Sequence, residues 1–142
     1  MIEGKRLYLD ANLIIYAVEG VEPWAPLMRE ILATIDRQEC TAVTSELSLA
    51  ECLVKPFEIG RQDLVQAYLG LLQDRAGFKI LPLDRVILIE SARLRSASRL
   101  RLPDAIHAAT AINATCDLLL TNDSGFRSVK GIEIMLLGEM ST

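Results

Sequence analysis

Short apolar runs alternating with helix-periodic segments constrain this chain more than any other feature. Leu7-Tyr8-Leu9, Thr41-Ala42-Val43-Thr44, Phe78-Lys79-Ile80-Leu81, Leu118-Leu119-Leu120 and Ile132-Glu133-Ile134-Met135 are each of strand length. Uninterrupted runs such as Leu118-Leu119-Leu120 suit strands buried on both faces of a parallel sheet, whereas the alternation from Ile132 to Met135 suits an edge strand. Between the runs, helical periods recur. A helix is expected from about Asn12 to Val18, and Leu27, Met28, Ile31, Leu32 and Ile35 form a core-facing stripe. Ser45 can cap a helix that should stop near Lys55-Pro56. Leu64, Val65, Tyr68, Leu69 and Leu72 mark another, closed by Gly77. A helix from Asp84 to about Ser98 precedes an alanine-rich one from Asp104 to Ala114, with Pro103 suited to its first turn. Strands alternating with helices imply an α/β fold, here a parallel sheet of about five strands with helices on both sides. No repeat or long linker divides residues 1–142, so one domain is expected.

The chain has 142 residues, of which 51% are hydrophobic. A domain of that size buries ~70% of the surface its unfolded chain exposes, enough for a core without cross-links. The three cysteines, Cys40, Cys52 and Cys116, have no paired spacing, and a single histidine accompanies them. Neither a disulfide framework nor a zinc knuckle is expected; buried thiols in a reducing compartment are. The apolar runs are too short or too charged to span a bilayer, and Met1-Ile2-Glu3-Gly4-Lys5-Arg6 carries no secretory pattern, so a cytoplasmic protein is expected. A net charge of −4 gives no sign of a nucleic-acid partner, but Arg93, Arg95, Arg99 and Arg101 cluster just before Asp104.

Acids stand at telling places. Asp10 and Asp123 each follow the last residues of a strand run, Glu51 lies on the helix after the second run, and Asp104 opens the alanine-rich helix. In parallel sheets, sites form outside the carboxyl ends of the strands, so all four side chains can meet at one edge. Taken singly each has a structural role available: Asp10 as a helix cap, Ser48 and Glu51 as a capping box, Asp104 facing a helix dipole, Asp123 in a turn before Gly125. Taken together they would repel one another unless a divalent cation intervened. Mg²⁺ and Mn²⁺ prefer such oxygen ligands, and phosphodiester hydrolysis is the chemistry such a site serves best.

The segments Leu9-Asp10-Ala11-Asn12, Thr44-Ser45-Glu46-Leu47-Ser48-Leu49-Ala50-Glu51, Leu102-Pro103-Asp104-Ala105-Ile106-His107-Ala108-Ala109-Thr110-Ala111 and Leu120-Thr121-Asn122-Asp123 resemble, in order, the four motifs of the PIN-domain nucleases. Motif order, context and length are similar to the VapC toxins of toxin–antitoxin pairs. The resemblance implies a three-layer α/β/α fold, Mg²⁺- or Mn²⁺-dependent endoribonuclease activity, a homodimer and a cognate antitoxin. It implies Asp10, Glu51, Asp104 and Asp123 as the acidic metal site, with Asn12 and Thr121 in support.

Other residues admit plainer readings. His107 is read as packing or hydrogen bonding, and a lone histidine disfavours a metal-free ribonuclease built on a histidine pair. The cluster from Arg93 to Arg101 is either a solvated helix face or an RNA contact, since guanidinium forks suit phosphate. Trp24 and Met28 are read either as core or as part of a dimer or antitoxin groove, the groove being preferred because Pro23 and Pro26 point to an exposed entry; Glu46 is read as facing outward. The alanines at 105, 108, 109 and 111 would let their helix lie close against the sheet. Two alternatives outside the leading reading are an aspartyl phosphotransferase and a Mg²⁺-binding regulatory, receiver-like module. The first would want a second acid where Asn12 stands. A PIN-like nuclease of RNA processing, outside any toxin–antitoxin pair, is a further alternative.

Overall fold

A computed structural model describes residues 1–140. Its strands are β1 (Arg6–Leu9), β2 (Thr41–Ser45), β3 (Phe78–Leu81), β4 (Leu118–Thr121) and β5 (Glu133–Leu136). Helices α1 (Ala11–Glu19) and α2 (Ala25–Asp36) join β1 to β2, and α3 (Glu46–Glu58) and α4 (Gln62–Leu71) join β2 to β3. Helices α5 (Arg85–Ser96) and α6 (Leu102–Asn113) join β3 to β4. All neighbouring strands pair in parallel, in the order β3-β2-β1-β4-β5.

Side-chain alternation divides the interior into two layers. Leu7 and Leu9 of β1 and Leu118 and Leu120 of β4 pack with Leu13, Ile14, Met28, Ile31, Ile35 and Tyr68 from α1, α2 and α4. Tyr8, Val43 and Leu119 face the other way, onto Ala105, Ala108 and Ala111 of α6 and onto Phe126. The result is the expected three-layer α/β/α arrangement, with five strands. Small residues let α6 approach the sheet closely, and that closeness brings the first turn of the helix to the ends of β1 and β4.

Strand order carries the main consequence for function. From β1 the chain moves outward to β2 and β3, then crosses back to β4 on the other side of β1. The order reverses between β1 and β4, so loops leaving their carboxyl ends part in opposite directions and open a crevice. Asp10 and Asp123 lie just beyond those two ends.

Three expectations need correction. Helix α3 passes through Pro56 and ends at Glu58. The proline stands only two residues from the end, and the Ile59 and Arg61 amides close the last turn on the Lys55 and Pro56 carbonyls. Helix α4 ends before Leu72, whose amide bonds the Tyr68 carbonyl; Gly77 serves the turn into β3 instead, at φ +83. A side chain at Gly77 would also stand 3.1 Å from the Ile35 carbonyl oxygen. Met28 is fully buried in the core, against the preferred reading of a partner groove, while Trp24 is half-buried and packs against that core. Among the described residues no helix is long and apolar enough to cross a membrane.

Ala108 is fully buried between α6 and the sheet. Ala108→Leu should overpack this seam and lower unfolding free energy by about 1–3 kcal/mol. A urea midpoint equal to that of the parent would show that the seam has slack.

Candidate active site

Asp10 is built into the end of β1. Its Oδ1 accepts the Leu13 amide at 3.3 Å, capping α1, and its Oδ2 accepts the Thr121 hydroxyl from the adjacent end of β4. Only 5% of the residue is exposed. Burial pushes its carboxyl up from the ordinary aspartate range, and the Thr121 hydrogen bond opposes that rise. The helix-capping role is thus real, but it occupies one face of a carboxylate that also borders the crevice.

Glu51 comes from α3, whose start is set by Ser45 accepting the Leu47 amide at 3.0 Å. Ser48 forms no capping box: it lies inside α3, its hydroxyl 2.6 Å from that of Thr44. Glu51 is one turn further on, and its Oε1 lies 2.6 Å from His107 Nε2. Asp104 stands in the first turn of α6, with Oδ2 3.7 Å from Arg101 Nε. Partial burial pushes Asp104 up first; Arg101 opposes the shift, while the charges of Asp123 and Glu51 add to it. Asp123 begins the short 3-10 turn Ser124–Ser128, where its Oδ1 accepts the Gly125 amide at 2.8 Å.

Asp10, Asn12, Glu51, Arg101, Asp104 and His107 line one cleft of about 370 Å³, closed on its apolar side by Ile15 and Val54. Asp123 is exposed at the margin, outside that lining but near enough for its charge to act on Asp104. Thr121 is buried beneath, donating to Asp10 and accepting the Asp123 amide at 3.1 Å. Arg101 alone of the four clustered arginines lines this cleft. Arg93 pairs with Glu90 at 3.4 Å and borders an apolar groove between α5 and α6, while Arg95 and Arg99 are exposed. Glu46 faces a separate depression with Gln73 and Asp74.

The donor set suits a hard cation. Every acidic side chain at the cleft offers oxygen, and the raised proton affinities of Asp10 and Asp104 are what a bound divalent charge would reverse. Cys52 lies behind the wall, its thiol directed at the Ala11 carbonyl and pushed up to about 12 by burial, so it stays protonated and offers no soft ligand. Among the described residues no three of the acidic, histidine or cysteine side chains already close around one point. Mg²⁺ does not need such a cage, since it keeps several waters and takes one or two carboxylates.

The sequence matches the PIN domain over residues 7–132. The chain belongs to the PIN-domain family. No match is found among curated proteins. Among solved structures, this PIN domain is similar to a chain of VapBC2 from Rickettsia felis bound to a promoter DNA fragment, at 16% identity and TM-score 0.71, covering 92% of this chain and 98% of that one. A toxin–antitoxin complex from Klebsiella pneumoniae aligns at 22% identity and TM-score 0.65, covering 92% and 97%. VapC20 of Mycobacterium tuberculosis, a sarcin–ricin loop cleaving toxin, aligns at 10% identity and TM-score 0.73, covering 89% and 97%. At these identities the likeness is one of fold.

One contributor escaped sequence reasoning. Tyr8 reads as another apolar strand residue, yet its hydroxyl lies 2.6 Å from His107 Nδ1. The available signal was a tyrosine among leucines in a strand facing a helix that carries the only histidine.

Asp10 and Asp104 both have raised carboxyl pKa values in the fold, so the folded state holds more protons than the unfolded one between the ordinary aspartate range and the raised values. Across that window their contribution to stability falls as pH rises. Asp10→Asn keeps a cap oxygen and removes the charge. It should therefore stabilise the metal-free protein at neutral pH, with a gain that shrinks on acidification through the raised Asp10 value. Thermal melts of both proteins against pH test this; a gain independent of pH would refute the electrostatic cause.

Proposed function

We propose that this PIN domain is a divalent-metal-dependent endoribonuclease acting as the toxin of a toxin–antitoxin pair. The observation that carries the reading is the facing of Asp10, Glu51 and Asp104 across one cleft at the strand-order reversal, with Asp123 at its margin. In this reading the four acids hold Mg²⁺ or Mn²⁺, and all of residues 1–142 form the one nuclease domain. A divalent ion bound there supplies Lewis acidity toward a phosphoryl oxygen and acidifies water near neutral pH.

The chain's own groups do the rest. Thr121 holds Asp10 in a fixed rotamer by donating to Oδ2, so that carboxylate need not reorganise when a ligand arrives. Asn12 borders the same cleft with an exposed amide that can bond a phosphate or ribose oxygen. Arg101 is 81% exposed in its side chain and only loosely paired with Asp104, leaving its guanidinium free to take a phosphate of the RNA backbone. Arg93, Arg95 and Arg99 would extend that contact along the strand. The cleft's acidity would repel RNA without a cation, which makes substrate binding itself depend on the metal.

Support for a toxin comes from the company of the fold: the aligned structures include toxin–antitoxin complexes and a toxin that cleaves the sarcin–ricin loop. A cognate antitoxin that covers the cleft and a homodimer belong to this reading, as does the cytoplasm, where RNA substrates are met.

Loss of a residue that only orients a metal ligand typically costs about 10–100-fold, so removal of a direct ligand should cost about 100-fold or more. Asp104→Asn should therefore abolish cleavage of total RNA in Mg²⁺ or Mn²⁺, as EDTA should for the parent, while the circular dichroism spectrum is unchanged. Equal cleavage by the folded variant would sink the nuclease assignment. Expression of the parent should arrest growth, and Glu51→Gln should relieve the arrest. Growth arrest by both alike, or by neither, would remove the toxin role even if RNA cleavage in the test tube survived.

A further inference from the structure

Beneath the cleft runs a buried polar chain whose parts come from three different elements. Tyr8 of β1, fully buried, has its hydroxyl 2.6 Å from His107 Nδ1. His107 of α6, 2% exposed, has Nε2 2.6 Å from Glu51 Oε1 of α3. The tyrosine and imidazole rings meet edge to face, with centroids 5.7 Å apart. We propose that His107, oriented by Tyr8, is a positioning residue that fixes the Glu51 carboxylate by Oε1 and so presents Oε2 to a divalent cation in the cleft. The inference rests on the metal-dependent reading above and assigns this histidine a part in it.

Both ring nitrogens are engaged and the ring is almost wholly covered, so His107 has no lone pair or proton free for substrate. General acid–base work is thereby set aside, and orientation remains. The Tyr8 hydroxyl can either donate to Nδ1 or accept from it, and at 2.6 Å it holds that side of the ring in place. Nε2 carries a proton and donates to Glu51, which as a carboxylate can only accept. A glutamate has three side-chain torsions, and on a helix surface its carboxylate samples many positions. The Glu51 side chain is about one-third exposed. Without the imidazole, the entropy of ordering it would be charged to metal binding.

The chain contains one histidine, which makes the test direct. Metal-free parent protein should show, in long-range ¹H–¹⁵N spectra, a single imidazole with a proton fixed on Nε2. Mn²⁺ titration of His107→Ala should give affinity weakened by about 10–100-fold, the range found when orienting partners of metal ligands are lost. His107→Gln carries an amide donor and an acceptor at similar reach and should recover most of the affinity; Tyr8→Phe should fall between. A packing role alone would lower the melting temperature of His107→Ala and leave the Mn²⁺ affinity of the folded protein unchanged, and that result overturns the proposal. So does a tautomerically averaged ring in the parent. Failure of the parent itself to bind Mn²⁺ would instead strike the metal-dependent reading, and this inference with it.

Discussion

Strand β1 lies in the middle of the sheet, paired on one side with β2 and on the other with β4, and that position governs the rest of the molecule. It forces β1 to be apolar on both faces, which Leu7, Tyr8 and Leu9 are. It also places the first acid after the strand at the crevice that opens where the connections of β1 and β4 leave in opposite directions. A carboxylate elsewhere on the sheet would stand among solvated loops. Asp10 instead meets Thr121 across the strand junction and Glu51 and Asp104 across the crevice.

The arrangement is electrostatically costly in the metal-free chain. Asp10 loses hydration by burial, and Asp104 loses some of its own while feeling Asp123 and Glu51. Two kinds of compensation are visible. One is local: the Thr121 hydroxyl and Leu13 amide donate to Asp10, and the Gly125 amide donates to Asp123. The other is the loose pairing of Asp104 with Arg101, an exposed contact of a kind worth little in water. Neither cancels the accumulated charge. Under the metal-dependent reading proposed above, a bound divalent cation would offset that charge, and oxygen donors would favour a hard one.

Structural and candidate functional roles coincide at several residues. Asp10 starts a helix and walls the cleft; Asp123 sets a turn and acts electrostatically on Asp104. A helix cap and a metal ligand need the same thing, a carboxylate held rigidly at an element end. Reading such an acid as either cap or ligand is a false choice. Ser48 is the opposite case: its spacing to Glu51 suggests a capping box, but β2 runs directly into α3 and Ser45 takes the cap, which leaves Ser48 inside the helix against Thr44.

The strands, their parallel pairing and the two-sided covering were legible in the residues, because period-two and period-3.6 patterns reflect local geometry that tertiary context rarely overturns. Helix limits were less so: Pro56 stays helical and Gly77 serves a turn, since a single breaker can be outvoted by the hydrogen bonds and packing around it. The acids were likewise visible by their place after strands. Their grouping required the reversal of strand order between β1 and β4, which no local pattern encodes. The division of the arginines, with Arg101 at the cleft and Arg93 on another groove, depends on which way α5 and the loop to α6 turn. The chain from Tyr8 through His107 to Glu51 joins residues far apart in sequence, and only the packing of α6 onto β1 beside α3 brings them within hydrogen-bond reach. Local order thus follows from the sequence by short-range sterics and periodicity, whereas contacts between separate elements exist only once the sheet has chosen its order.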